Sequence, residues 1–215
     1  MTQAAPIGLL NARGKVPTSP RGKSRETKIV KVATMQFLKH GYGATSLDAI
    51  SKIAGGSKST LYSFFPSKAD LFQSVVSSIV ADMQDGHLDP KANIEATLVA
   101  FGCGRLAIVF AKQHWSLLKL IQAERDRFPR IAEAYYQLGP LRSREILKEY
   151  FASLLKQNRL NITDENQAAK DYIGTLMHDW YVRYLYTSER FPSKDEMRQH
   201  SRRVAKTFLD AHMVD

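Results

Sequence analysis

The stretch Thr45-Ser-Leu-Asp-Ala-Ile-Ser-Lys-Ile-Ala-Gly-Gly-Ser-Lys-Ser-Thr-Leu-Tyr-Ser-Phe-Phe65 reads as two short amphipathic helices joined by a glycine turn. Thr45 opens the first, with Asp48 three residues on as a capping-box variant, and Leu47, Ile50 and Ile53 are expected to form its buried face. Gly55-Gly56 stops that helix. Ser57 caps the second, which runs to about Phe65 and is ended by Pro66. Ile50, Ile53, Ala54, Leu61 and Phe65 can pack the pair together, leaving Lys58, Ser59, Thr60, Tyr62 and Ser63 for the exposed side of the second helix. Such a pair presents its second helix to the major groove of DNA. Helix N-termini donate backbone N–H groups to phosphate, so Thr45, Ser46 and Ser57 are placed to position a duplex. Tyr62 and Lys68 add a phenol and an ammonium. By spacing alone, a helical hairpin with a basic surface fits the same residues.

The segments on either side have helical periodicity too. Upstream, Ile29, Val32, Ala33 and Phe37 predict a helix from about Ser24 to His40, with Gly41 as its C′ residue. Residues 1–23, with Pro6, Pro17, Pro20 and three glycines among scattered bases, read as a disordered basic arm. Downstream, Ser67 and Asp70 cap a helix bearing Leu71, Val75, Ile79 and Met83, expected to end near Gly86. Ile94, Leu98, Phe101, Ile108 and Val109 mark a fifth helix, and Leu117, Leu118 and Ile121 a sixth. Phe128-Pro129 and Gly139-Pro140 read as breaks in which proline starts the next helix. Asp164 with Gln167 caps a long helix to about Tyr186, and Ser193-Lys194-Asp195-Glu196 is a capping box for the last one. The expected fold is all-α. A three-helix helix-turn-helix domain at 24–70 is followed by a helical effector-binding and dimerisation domain at 71–215.

Charge is distributed unevenly. Of the net +10, nine charges fall within residues 1–68, which hold eleven basic side chains against Glu26 and Asp48 alone. That asymmetry points to a polyanion partner, either nucleic acid or an acidic membrane surface. The membrane reading is disfavoured because the bases are spread over short capped helices instead of one amphipathic face. Lys28 and Lys58 are the expected phosphate anchors, while Arg13, Lys15, Arg21 and Lys23 are candidates for a groove or backbone contact from the arm. One cysteine, Cys103, allows no internal disulfide and suits a reducing compartment, so a cytoplasmic protein is expected. Ile7–Leu10 is too short for a signal peptide, and no stretch approaches the roughly 20 apolar residues of a spanning helix. The six histidines form no close metal pair, and no G-x-S-x-G, P-loop or H-E-x-x-H pattern occurs. No catalytic site, metal or cofactor is expected.

A resemblance follows from particular residues. Arg25, Ile29, Ala33, Phe37, Gly41, Thr45, Ile50, Ala54-Gly55, Ser57, Thr60-Leu61-Tyr62, Phe65, Ser67-Lys68 and Leu71 together resemble the N-terminal signature of the TetR/AcrR family over about residues 25–75. Leu117–Glu124, Arg127-Phe128-Pro129 and Ala134-Tyr135-Tyr136 are similar to the AefR-like group of effector domains. The resemblance implies homodimers that bind palindromic operators, usually repress transcription, and release DNA when a small molecule binds the C-terminal domain. Three positions depart from the family pattern. Gly56 stands where valine is usual, implying a looser turn, and Ser59 and Ser63 stand where glycine and histidine are frequent.

Candidates for the effector site are the aromatics Phe101, Phe110, Trp115 and Tyr136, with Cys103 and His178. The expected effector is small and apolar or aromatic. Aromatics at helical spacing are more often plain core. Gly102 and Gly104 mark either close helix approach or room for a ligand. The last two long helices are candidates for the dimer interface. Rival readings are an architectural DNA-binding factor with no small ligand, and a helical enzyme with an incidental basic arm.

Overall fold

The computed structural model of the chain describes residues 20–80, 88–187 and 190–214, and of residues 178 and 179 the backbone only. Among those residues the fold is all-α, as the periodicity predicts. The helices are α1 Pro20–His40, α2 Leu47–Ala54, α3 Lys58–Phe64, α4 Lys68–Ile79, α5 Ile94–Val109, α6 Lys112–Glu124, α7 Pro129–Tyr136, α8 Arg142–Lys156, α9 Glu165–Tyr186 and α10 Lys194–His212. A π-helical segment, Gln137–Leu141, joins α7 to α8. The helix starting at Pro20 begins four residues earlier than expected. Proline suits a first turn because its missing N–H would find no helical partner there. Arg21 and Lys23 therefore lie on a helix, whereas Arg13, Lys15, Met83 and Gly86 fall outside the described residues.

The chain packs as two compact units. One comprises the residues up to Ser78 together with Leu120–Ala132, and the other Ile79–Lys119 with Glu133–Asp215. The division expected at residue 70 thus falls inside the first unit. Its core explains why: Phe72 of α4 meets Phe37 of α1 edge-on at 5.4 Å and Tyr42 at 5.1 Å. Leu71, Val75 and Val76 are buried with them. At roughly 1.5–3 kcal/mol for each fully buried large apolar side chain, α4 cannot be separated from the head. Phe128 of the returning segment closes on Tyr42 at 4.9 Å.

The second unit is built on α5. It buries Ile94, Leu98, Phe101, Leu106 and Val109. Gly102 marks a close approach, since a Cβ there would lie 2.8 Å from Ser201 Oγ of α10 and 3.2 Å from Leu176 Cδ1 of α9. Gly104 meets nothing within 4 Å and faces outward. Tyr172 donates its hydroxyl to the Leu98 carbonyl at 2.8 Å, and Phe151 stacks on Phe208 at 4.9 Å. The caps expected for α9 and α10 are present. Asp164 accepts from the N–H groups of Asn166 and Gln167, and Ser193 with Glu196 forms the reciprocal capping box. Pro129 begins α7. Gly139-Pro140 is not a break, however: the wider π turn carries the chain through Pro140 without a stop.

Candidate nucleic-acid interface

Two glycines frame the helix pair. Gly41 ends α1 in the left-handed region at φ +86°, and Gly55 ends α2 at φ +72°, conformations that side chains rarely adopt. Between the helices, Ser51 donates its hydroxyl to the Gly56 carbonyl at 2.9 Å. Ser57 caps α3 by accepting from the Thr60 N–H. The N-cap of α2 is Ser46, which accepts from Ala49 N–H, and not Thr45. Thr45 is buried and donates its hydroxyl to the Gly41 carbonyl at 2.8 Å, so it braces the loop from inside. Ile53, expected in the buried face, is 52% exposed; Ile50, Ser51 and Ala54 face inward instead.

The outward face of α3 carries Lys58, Ser59, Tyr62 and Ser63, all exposed, while Thr60 is half-buried beside the cap. Tyr62 keeps 42% of its surface accessible. Ser63 donates to the Thr60 carbonyl at 2.8 Å. Lys58 is ion-paired across the turn to Asp48 at 2.8 Å, which raises its pKa. Lys28 is exposed on α1 close to the turn, its Nζ 3.9 Å from where a Gly55 Cβ would lie. Lys68 differs from expectation: it donates to the Gly43 carbonyl at 3.1 Å and sits over the Tyr42 ring at 4.6 Å. Burial lowers its pKa. Lys68 is a brace of the head and does not project from it.

Two residues that sequence reasoning missed complete the head. Glu124, at the end of α6, accepts the Gly43 N–H on both carboxylate oxygens, at 2.8 and 3.1 Å. Arg25 of α1 lays its guanidinium over Gly56, where a Cβ would stand 1.8 Å from Nη2. The valine usual at that position is thus replaced by an arginine reaching in from another helix, and the turn is not left loose.

The effector candidates separate into two groups. Phe110 and Trp115 are buried 6.2 Å apart in a cluster with Tyr184, Trp180, Tyr181 and Phe191. Phe101 lies elsewhere, against Tyr172 at 6.4 Å and beneath the Arg105 guanidinium at 4.6 Å. Cys103 is half-buried. Tyr136 does not join either group: it is 47% exposed, and its neighbour Tyr135 turns inward to His114 at 3.0 Å. The His178 side chain lies outside the described residues.

Comparison with known proteins settles the family. The profile of the AefR-like transcriptional repressor C-terminal domain matches residues 96–213, more than half of the chain, and that of the bacterial regulatory proteins of the tetR family matches residues 29–75. The chain belongs to the TetR family. This TetR-family protein is a DNA-binding transcriptional regulator, and its relatives are regulators and not enzymes. The HTH-type regulator YhgD of Bacillus subtilis, itself uncharacterised, is 25% identical over 147 residues, 65% of this chain and 68% of the relative. A TetR-family regulator from Mesorhizobium loti superposes with a TM-score of 0.77 at 27% identity, covering 91% of this chain and 100% of that one. The flavonoid-responsive regulator FrrA gives 0.77 at 25%, covering 89% and 98%. No single described helix of this TetR-family chain is long and apolar enough to cross a membrane.

Proposed function

We propose that this TetR-family regulator is a homodimeric, cytoplasmic repressor that binds a palindromic operator and releases it when a small apolar or aromatic effector enters its second unit. The observation that carries the DNA reading is the outward face of α3, where Lys58, Ser59, Tyr62 and Ser63 are exposed together beside Lys28 and the Ser46 and Ser57 caps. Side chains of this kind reach phosphates and base edges when a recognition helix enters the major groove. Thr45 and Lys68 act from inside as braces.

The dimer reading rests on α9. Its Gly174 meets nothing within 4 Å, and Val182 and Tyr186 stand exposed about two and three turns further along the same row, Tyr186 at 83%. The apolar stripe of α10, by contrast, is consumed inside its own protomer by Met197, Val204, Phe208 and Leu209. A two-fold dimer must set its recognition helices about 34 Å apart to enter successive major grooves. The Phe110–Trp115 cluster is the candidate seat for an aromatic effector, and the flavonoid response of FrrA favours that class. Helix α6 carries Trp115 in its first turn and ends at Glu124, whose carboxylate holds the Gly43 N–H ahead of α2. A ligand that biases α6 therefore biases the head, and operator affinity falls by population shift.

The test is titration of the full-length protein against its own upstream intergenic DNA across a salt series, beside a Lys58→Ala/Tyr62→Ala variant. Saturable binding of a palindromic fragment that survives competitor DNA and is lost in the variant supports the reading. The loss of the Lys58 phosphate contact lowers the salt slope by about one. Weak, sequence-indifferent binding with equal salt slopes in both proteins overturns it.

A further inference from the structure

From Ile94 to Phe110 the chain carries no charge except Glu95 in the first turn of α5 and Arg105 near its far end. Arg105 is buried, with 4% of its surface exposed, and its Nη1 has no protein hydrogen-bond partner. Arginine is rarely buried without an acid beside it. Among the described residues no carboxylate pairs with it. The charged group that acts on it is a second cation, Arg142, and burial together with that repulsion lowers its pKa to about 10. The side chain therefore stays cationic at neutral pH. The Phe101 ring 4.6 Å below offers a cation–π contact, which leaves Nη1 without an acceptor. Relief by helix motion is blocked, because Gly102 already holds α5 tightly against Ser201 and Leu176. The other buried nitrogens in this unit without a protein partner, Trp115 Nε1 and Arg144 Nε, are also donors only. Two hydroxyls that can donate or accept, those of Tyr150 and Ser201, are buried without a partner as well, and no anionic acceptor stands among these groups.

We propose that Arg105 is the anion-binding residue of the effector site and that the effector is a monocarboxylate, its planar head paired by the guanidinium and its apolar body packed beside Phe101. This rests on the ligand-responsive reading above, narrows its chemistry, and seats the effector at Arg105 and Phe101 instead of in the Phe110–Trp115 cluster. One buried cation balances one charge. The guanidinium fork matches a carboxylate through two parallel N–H···O bonds, and the apolar wall of α5 suits a hydrocarbon or aromatic body. Phosphate monoesters, carrying more charge, and sulfate monoesters, whose three terminal oxygens need more donors, fit the single buried cation less well.

The experiment compares acids with their neutral amides: benzoate, phenylacetate and octanoate against benzamide, phenylacetamide and octanamide. Two quantities are read on the full-length protein, the shift in melting temperature and the ratio of operator affinity with and without each compound. Because the second is a ratio, a variant's own DNA affinity cancels. At least one acid is expected to raise the melting temperature and weaken operator binding, with its amide weaker by about tenfold or more. Arg105→Gln loses that acid response, and Arg105→Lys, which keeps the charge but not the fork, retains part of it. Without ligand, Arg105→Gln melts no lower than the wild type, since a buried unpaired charge has gone. Should Arg105→Gln fail to fold, the partial response of Arg105→Lys carries the same information. Equal effects of acids and amides, or an unchanged response in Arg105→Gln, overturn the proposal. Release by amides alone overturns the anionic class and leaves ligand response standing. No release by either series, with operator binding intact, counts against ligand response as well.

Discussion

In the unit that carries α2 and α3, the polar groups hold one another. The Thr45 hydroxyl sits on the Gly41 carbonyl, Ser51 on Gly56, the Gly43 N–H between both oxygens of Glu124, and Lys68 on the Gly43 carbonyl. In the unit built on α5, Arg105, Trp115, Arg144 and Ser201 each keep a buried polar atom with no protein partner. An unpaired buried polar group costs roughly 1–3 kcal/mol, so a fold keeps several only where something else repays the cost. On the proposed function the head presents the same outward face to every operator, and these internal bonds fix that face. The ligand response proposed for the second unit requires its energy to change when a second molecule arrives, and unmatched polar groups supply that difference. On the proposed function, the contrast is between a part that stays the same and a part that responds.

The largest test of the first half of this contrast is Glu124→Ala. It strips the Gly43 N–H of a charge-assisted partner and removes the acid facing Lys68. Stability is expected to fall by about 2 kcal/mol, the usual cost of leaving a partly buried donor unmatched beside a lost charge. Urea denaturation followed by circular dichroism reads it, and Glu124→Gln, which keeps one acceptor oxygen, should lose about half as much. A loss below about 0.5 kcal/mol for Glu124→Ala would mean the Gly41–Gly43 loop holds itself, and the route from α6 to the head would have to be drawn elsewhere.

One polar pair in the second unit is complete, and it sharpens the comparison. His114 is buried, with Nδ1 3.0 Å from the Val109 carbonyl and Nε2 3.0 Å from the Tyr135 hydroxyl. A carbonyl only accepts, so Nδ1 carries the proton and Nε2 accepts from Tyr135, which is the neutral ring. Burial lowers the His114 pKa below its ordinary 6.5. The unfolded chain therefore takes up the proton first. The stabilisation is full above pH 6.5 and is lost as pH falls from there through the folded-state pKa. Glu196, held down to about 2 by Arg190 and the Ser193 cap, titrates lower, losing its contribution only below its ordinary 4.5. The melting temperature of the wild type is expected to decline between pH 7 and 5.5, and His114→Gln, whose amide reproduces one donor and one acceptor, should flatten that decline. An equal slope in both proteins would remove His114 from the account.

The elements that were legible in the sequence are those set by neighbours a few residues away. The glycines at 41 and 55, the Ser57 cap and the Ser193–Glu196 capping box were all readable, because each is a bond within one turn. What could not be read depends on where a distant segment lies. On α2, Ile53 and Ser51 flank Ile50 on opposite sides, and periodicity cannot say which side the partner helices cover. The structure covers the Ser51 side and leaves Ile53 in solvent. Thr45 and Lys68 were read as facing DNA because the loop they brace is completed by Glu124, 81 residues beyond Gly43. Gly139-Pro140 read as a break because a π turn has no local signature that outweighs proline. Arg105 does leave a signal in the sequence, a lone base deep inside a largely apolar helix.

The smallest effect tests the completeness of the head at its turn. Gly56 departs from the valine that the family usually carries, and Arg25 fills the space with its guanidinium, its Nη2 1.8 Å and its Cζ 2.9 Å from the position a Cβ would take. Gly56→Val must therefore push Arg25 aside. The obstacle is the end of a flexible side chain, so the cost is modest, about 1 kcal/mol. Against it stands the smaller entropy of an unfolded chain without that glycine, worth about 0.4–1 kcal/mol where the backbone is compatible, as it is here outside the left-handed region. The two nearly cancel in the wild type and separate in a double-mutant cycle. In an Arg25→Ala background the clash is gone and only the entropic gain is left, so Gly56→Val should turn stabilising, with a coupling of about 1 kcal/mol between the positions. An additive cycle would mean that the guanidinium merely rests over the turn, and that the head is held by Ser51, Thr45 and Glu124 without it.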